Sequence, residues 1–133
     1  MEQKICVIAH DKMKPQLVAF LKDRADWLWG RKLVATGHTA ELLQNEQMKV
    51  DIEAVSRGRS GGFKELTERV NKGEISLVVF FRDPEIDHEQ EHDIVQLVKA
   101  CIKNNIPLAS NPASAELLIV GLIRMEAAKK NNA

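Results

Sequence analysis

Leu77-Val78-Val79-Phe80-Phe81-Arg82-Asp83-Pro84 opens with five apolar residues in a row and then turns at once to a charge of each sign and a proline. A continuous apolar run of strand length fits a strand covered by helices on both faces, where alternation is not required. Ile5-Cys6-Val7-Ile8-Ala9, followed by His10-Asp11, has the same form. Leu33-Val34-Ala35 and Ile106-Pro107-Leu108-Ala109 are shorter versions. Val50 to Val55 alternates instead, with Val50, Ile52 and Ala54 against Asp51 and Glu53, which predicts a strand nearer an edge.

Segments with helical spacing separate these runs. Leu17, Val18, Phe20 and Leu21 continue towards Trp27 and Leu28 as one apolar stripe, with Pro15 where a first turn tolerates proline. Thr39 is placed to cap a short helix through Leu42 and Leu43. Leu66 and Val70 mark a helix ending near Gly73. Ile94, Leu97, Val98 and Cys101 mark another, opened by Asp93 or a neighbour. Ala115 to Ile123 is the last, fading into a frayed Lys129-Lys130-Asn131-Asn132 tail. Strand and helix alternate with short connections throughout, so the fold class is α/β: one domain over 1–133 with a five-stranded, mainly parallel sheet built by right-handed crossovers.

Composition narrows the function. Nineteen Lys and Arg balance nineteen Asp and Glu, which leaves no field to draw in nucleic acid or an anionic membrane. No apolar stretch approaches the ~18 residues of a membrane helix, and no signal pattern precedes Ile5, which predicts a cytoplasmic protein. Cys6 and Cys101 lie within apolar runs and read as buried, reduced thiols ahead of a disulfide or a metal site. Trp27 and Trp29 read as packing residues against the next strand.

In a parallel sheet, ligands bind beyond the carboxyl ends of the strands. Those positions hold Ala9-His10-Asp11 with Lys14 three residues on, Thr36-Gly37-His38-Thr39, Ser56-Arg57-Gly58-Arg59-Ser60-Gly61-Gly62, Arg82-Asp83-Pro84, and Ser110-Asn111. The glycine-rich loop can turn backbone N–H groups, the Ser56 and Ser60 hydroxyls and two guanidinium groups onto a phosphate, or it can be a solvated surface loop. The second donor-rich loop, at Thr36 to Thr39, favours the anion site. Each aspartate, taken alone, reads as a cap or a partner for a neighbouring base; several converging on one crevice suit proton transfer beside a carbonyl. His88 and His92, with Glu89 and Glu91, read as a solvated acidic turn, since neither an HExxH pattern nor a third metal ligand accompanies them.

Ala9-His10-Asp11, Ala35-Thr36-Gly37-x-Thr39, Gly61-Gly62, Phe80-Phe81-Arg82-Asp83-Pro84 and Ile106 to Asn111 with Ala113 and Ala115-Glu116 stand in the order and approximate spacing of methylglyoxal synthase. The resemblance covers nearly the whole chain. It implies a three-layer sandwich and a lyase that converts dihydroxyacetone phosphate to methylglyoxal and inorganic phosphate. It further implies no metal or organic cofactor and a homo-oligomer, typically a hexamer. Carried over by position, Lys14, Thr36, Thr39 and the backbone at Gly58 hold the substrate phosphate, with His38 and Arg57 beside them. His10 and Asp11 form the floor, and Asp83 and Asp93 stand near the reacting end. The departures are specific. The family follows its Gly-Gly with an aspartate that serves as base, and this chain has Phe63. The family's histidine after Asp-Pro falls on Gln90, with His88 or His92 available only after a two-residue slip. The family's carboxy-terminal arginine has no clear counterpart. An active enzyme needs Asp11, Asp83, Asp93 or Glu65 as base. The alternative is a degenerate member that binds a phosphorylated metabolite as a sensor or regulatory subunit.

Overall fold

The computed structural model describes residues 3–46, 48–86 and 91–131. Five strands, β1 (Lys4–Ala9), β2 (Lys32–Ala35), β3 (Asp51–Ala54), β4 (Ile75–Phe81) and β5 (Leu108–Ala109), form one sheet in the order β3-β2-β1-β4-β5. All four pairings are parallel. The longest joins β1 to β4, in register from Ile5 beside Leu77 to Ala9 beside Phe81. The helices are α1 (Lys14–Lys22), α2 (Ala25–Leu28), α3 (Gly37–Asn45), α4 (Gly62–Asn71), α5 (His92–Lys103) and α6 (Pro112–Asn131).

Successive side chains of a strand leave by opposite faces, and the two apolar runs therefore serve two cores at once. Val7, Ala9, Leu77, Val79 and Phe81 pack with Leu17, Phe20, Leu43 and Ile119, which puts α1, α2, α3 and α6 on one face. Cys6, Ile8, Val78 and Phe80 pack with Leu66, Val70, Ile94 and Leu97, which puts α4 and α5 on the other. The arrangement is the expected three-layer α/β sandwich. Both cysteines are free thiols inside the second core; burial pushes the Cys101 thiol up to about 11 and Cys6 higher still.

Local details depart from the sequence reading. The stripe from Leu17 to Leu28 is two helices, because the chain turns at Asp23 and Arg24 before α2 begins. Thr36, not Thr39, is the residue before α3; its extended backbone ends β2, and Thr39 lies buried in the first turn. Trp27 packs against the first core with the Arg31 guanidinium over its ring, whereas Trp29 is 78% exposed. The last helix starts earlier and runs further than expected, through Asn131. Arg31 donates to both carboxylate oxygens of Glu126 at 3.0 Å, and Arg24 pairs with Glu116, so α6 is tied to the body near both ends. No helix of the described residues is long and apolar enough to cross a membrane.

The edge strand is held by charge. Glu53 of β3 accepts from Arg69 of α4 at 2.9 Å and from Lys4 of β1 at 2.6 Å, spanning the strand between them. The Arg69 guanidinium first and the Lys4 ammonium second hold its carboxyl at about 2, below the ordinary 4.5. A depressed carboxylate contributes stability that is present above its ordinary value and lost as pH falls through the folded value. Unfolding measured between pH 5 and about pH 2 is therefore expected to show a progressive loss of stability that Glu53→Gln flattens.

Candidate functional site

The β1–β4 pair fixes the centre of the site. Beyond the last paired residues, the His10 N–H donates to the Phe81 carbonyl at 3.2 Å, and the Asp83 N–H donates to His10 Nδ1 at 2.8 Å. The chain leaves β2 and β4 towards helices on opposite faces, which opens a crevice at the carboxyl end of the sheet. Its volume is about 450 Å³, and its lining includes His10, Asp11, Lys14, Thr36, His38, Arg57, Gly58 and Asp83. Eight of the residues expected from sequence thus share one cavity, drawn from four different strand ends.

Lys14 brings a mostly buried cation to the crevice. Its side chain is 15% exposed, and its ammonium donates to Asp11 Oδ1 at 2.6 Å. Thr36 is buried at the start of α3, its hydroxyl 3.5 Å from that of Thr39. Thr39 is therefore one layer behind the lining. The N-terminus of α3 faces the crevice, where the positive end of a helix favours an anion. His38 and Arg57 are exposed at the rim, with the Arg57 guanidinium 3.8 Å from Glu41.

The glycine-rich loop is rigidly pinned. Gly61 adopts φ +101°, and a Cβ on Gly62 would stand 2.1 Å from the Ser56 carbonyl oxygen, so neither position accepts a side chain without moving backbone. Ser60 and Gly62 N–H groups both donate to the Arg57 carbonyl at 2.9 Å. Glu65 closes the loop from α4: its carboxylate accepts the Ser56 hydroxyl at 2.7 Å and the Ser56 N–H at 2.8 Å, and these bonds lower its pKa. Two expectations change here. Glu65 is a loop anchor with both oxygens engaged, and the Ser56 hydroxyl points to it, away from a ligand.

The remaining carboxylates divide sharply. Asp83 is 8% exposed and its Oδ1 accepts the Glu85 N–H at 2.9 Å, capping the turn under His10. Asp93 stands exposed in the first turn of α5 and is not part of the lining. Glu91, read from sequence as part of a solvated turn, instead lines the crevice. Its side chain is only 25% exposed and its Oε2 lies 3.5 Å from His10 Nε2. Nothing in local sequence distinguishes it from Glu89; its place follows from α5 starting at His92 against the β1 loop. His92 is exposed, and His88 and Gln90 lie outside the described residues. Phe63 also lines the crevice, its ring stacked on Phe80 at 5.7 Å, while His10 meets the same Phe80 edge-on at 5.1 Å.

Fold and site together define a parallel α/β domain with a polar crevice at its topological switch point. Comparison with known proteins narrows the class. The family profile described as MGS-like domain matches residues 16–110. Methylglyoxal synthase of Borrelia garinii subsp. bavariensis is 40% identical over 121 residues, 91% of this chain and 95% of its own length. That of Cupriavidus pinatubonensis is 39% identical over 124 residues, 93% and 95% of the two chains. The crystal structure of methylglyoxal synthase from Elizabethkingia anophelis NUHP1 matches with a TM-score of 0.78 at 31% identity, over 88% of this chain and 76% of that one. The chain belongs to the methylglyoxal synthase-like family.

The pinned loop yields a direct test. Gly62→Ala is expected to cost at least the ~1–3 kcal/mol typical of overpacking, because the clash is with backbone. The same variant is expected to lose most of any rise in melting temperature that inorganic phosphate gives the parent protein. Calorimetry with and without phosphate measures both.

Proposed function

We propose that this protein is a lyase that converts dihydroxyacetone phosphate to methylglyoxal and inorganic phosphate. The observation that carries the reading is the convergence of Lys14, Thr36 and Gly58 from three strand ends on one crevice that also holds His10 and carboxylates. In this reading the Lys14 ammonium, the Thr36 hydroxyl and the backbone at Gly58 hold the phosphate, assisted by the start of α3. Arg57 and His38 stand over the rim, and Thr39 supports Thr36 from behind. His10 shapes the floor, Asp11 stands exposed beside it and holds the Lys14 ammonium, and Asp83 keeps His10 in place through its backbone N–H. The relatives named methylglyoxal synthase at about 40% identity support the same chemistry.

The reaction calls for a proton to be taken from carbon beside a carbonyl, with phosphate as leaving group. Nothing in that sequence needs an oxidant or a second substrate. A crevice that fixes the phosphate positions the adjoining carbons, and positioning is itself a large part of such catalysis.

One observation favours a second reading. Phe63 stands where the family's base is expected, and a phenyl ring accepts no proton. Its ring lies so close to Gly58 that a Cβ there would come within 2.6 Å of it. A member that binds a phosphorylated metabolite without turning it over, as a sensor or regulatory subunit, is built from the same phosphate contacts.

We also propose a homo-oligomer acting in the cytoplasm. Leu117, Val120, Ile123 and Met125 of α6 are 42–74% exposed, a run of apolar area suited to a second copy of this chain. Sedimentation is expected to give a mass several times 15.0 kDa.

Purified protein given dihydroxyacetone phosphate is expected to release inorganic phosphate and methylglyoxal in equal amounts, measured by phosphorus NMR and by trapping the dicarbonyl. No product, together with phosphate-dependent thermal stabilisation, would favour the binding module. Gain of turnover on Phe63→Asp in an inactive parent would then identify the lost base as the cause.

A further inference from the structure

The proposed reaction needs a base, and each carboxylate that sequence put forward for that task is engaged or misplaced. Both Glu65 oxygens accept from Ser56. Asp11 is 90% exposed at its side chain and holds the Lys14 ammonium. Asp83 caps the turn beneath His10, and Asp93 stands outside the cavity. Glu91 also has a partner, but that partner is the His10 ring inside the crevice. It reaches the crevice from the residue before α5, is three-quarters buried at its side chain, and meets His10 Nε2 at 3.5 Å. Because His10 Nδ1 accepts the Asp83 N–H, the proton of the neutral ring is on Nε2, the nitrogen that faces Glu91. The imidazole thus turns its N–H edge towards the carboxylate.

We propose that Glu91 is the general base of this protein, replacing the carboxylate absent at position 63, an assignment that rests on the lyase reading above. The Glu91 carboxylate takes a proton from the hydroxymethyl carbon of dihydroxyacetone phosphate. The C–H electron pair becomes a C=C bond to the carbonyl carbon, whose oxygen takes the displaced pair as an enediolate. The hydroxyl proton then passes to the departing phosphate, the aldehyde C=O forms, and the double bond moves to the phosphate-bearing carbon as its C–O bond breaks. The proton held by Glu91 returns to that terminal carbon, giving the methyl group of methylglyoxal. Protons and electrons balance without a further reactant.

Glu91→Gln keeps the shape and removes the basicity. It is expected to lower kcat/KM by about 10²–10⁴-fold and to remove the acid limb of its pH profile. It is also expected to abolish deuterium uptake at the hydroxymethyl carbon in D2O, while the thermal response to inorganic phosphate stays at the parent value. An active parent with an equally active glutamine variant overturns this inference and leaves the lyase reading standing. A parent that neither forms methylglyoxal nor exchanges that proton overturns both. Should the glutamine variant misfold, Glu91→Asp decides: its carboxylate sits one methylene short, so turnover is expected to fall by roughly tenfold or more, and turnover equal to the parent overturns the assignment.

Discussion

The register between β1 and β4 is the constraint on which everything else depends. Five apolar residues of each strand pair side by side, and every one of them is buried. A slip of one position would turn Val7 and Phe81 into the wrong core and carry Cys6 and Phe80 with them. β1 and β4 also end together, Ala9 beside Phe81, so the same register delivers His10 and Asp83 to one place. The backbone N–H of one then reaches the ring of the other. Core packing and site geometry are in this sense a single decision, made by hydrophobic burial and read out as a hydrogen bond of 2.8 Å.

Much of this could be read from the chain, and the reasons for success and failure are physical. Continuous apolar runs specify strands buried on both faces, so β1, β4 and the parallel fold followed directly. Strand ends specify where a crevice opens, so the loops carrying His10, Lys14, Thr36 and Gly58 can be placed around one cavity without coordinates. Hydrogen-bond partners were not legible, because they depend on pairs distant in sequence. Ser56 looked like a ligand donor and Glu65 like a spare base until α4 folded one against the other. Glu53 looked like the solvent side of an edge strand, yet Lys4 and Arg69 close over it from 49 and 16 residues away. Glu91 escaped notice for the same reason: its surroundings come from β1, on the far side of the chain's first seventy residues.

Phe63 stands where the resemblance leads one to expect the family's base, and the structure gives that departure a setting. Phe63, Phe80 and His10 form a small aromatic tier along one wall, with the Arg82 guanidinium 5.7 Å from the Phe80 ring. An apolar wall on one side of a phosphate crevice lowers the local dielectric and strengthens the charge interactions opposite it. The family's base at this position and a base reaching in from the start of α5 would approach the same small substrate from different walls. Under the lyase reading, a single substitution at 63 would change which wall of the crevice carries the base, while the loops after β1, β2 and β3 keep the polar groups proposed to hold phosphate.

Under the lyase reading, the depth of the two thiols has a consequence. Methylglyoxal is a reactive dicarbonyl that modifies nucleophilic side chains, and among thiols it is the ionised form that attacks. Cys6 is fully enclosed and Cys101 nearly so, and burial holds both in the protonated form. The interior of the sandwich thus keeps both thiols out of reach of any dicarbonyl that the proposed reaction would release, a built-in tolerance to self-inflicted chemical damage.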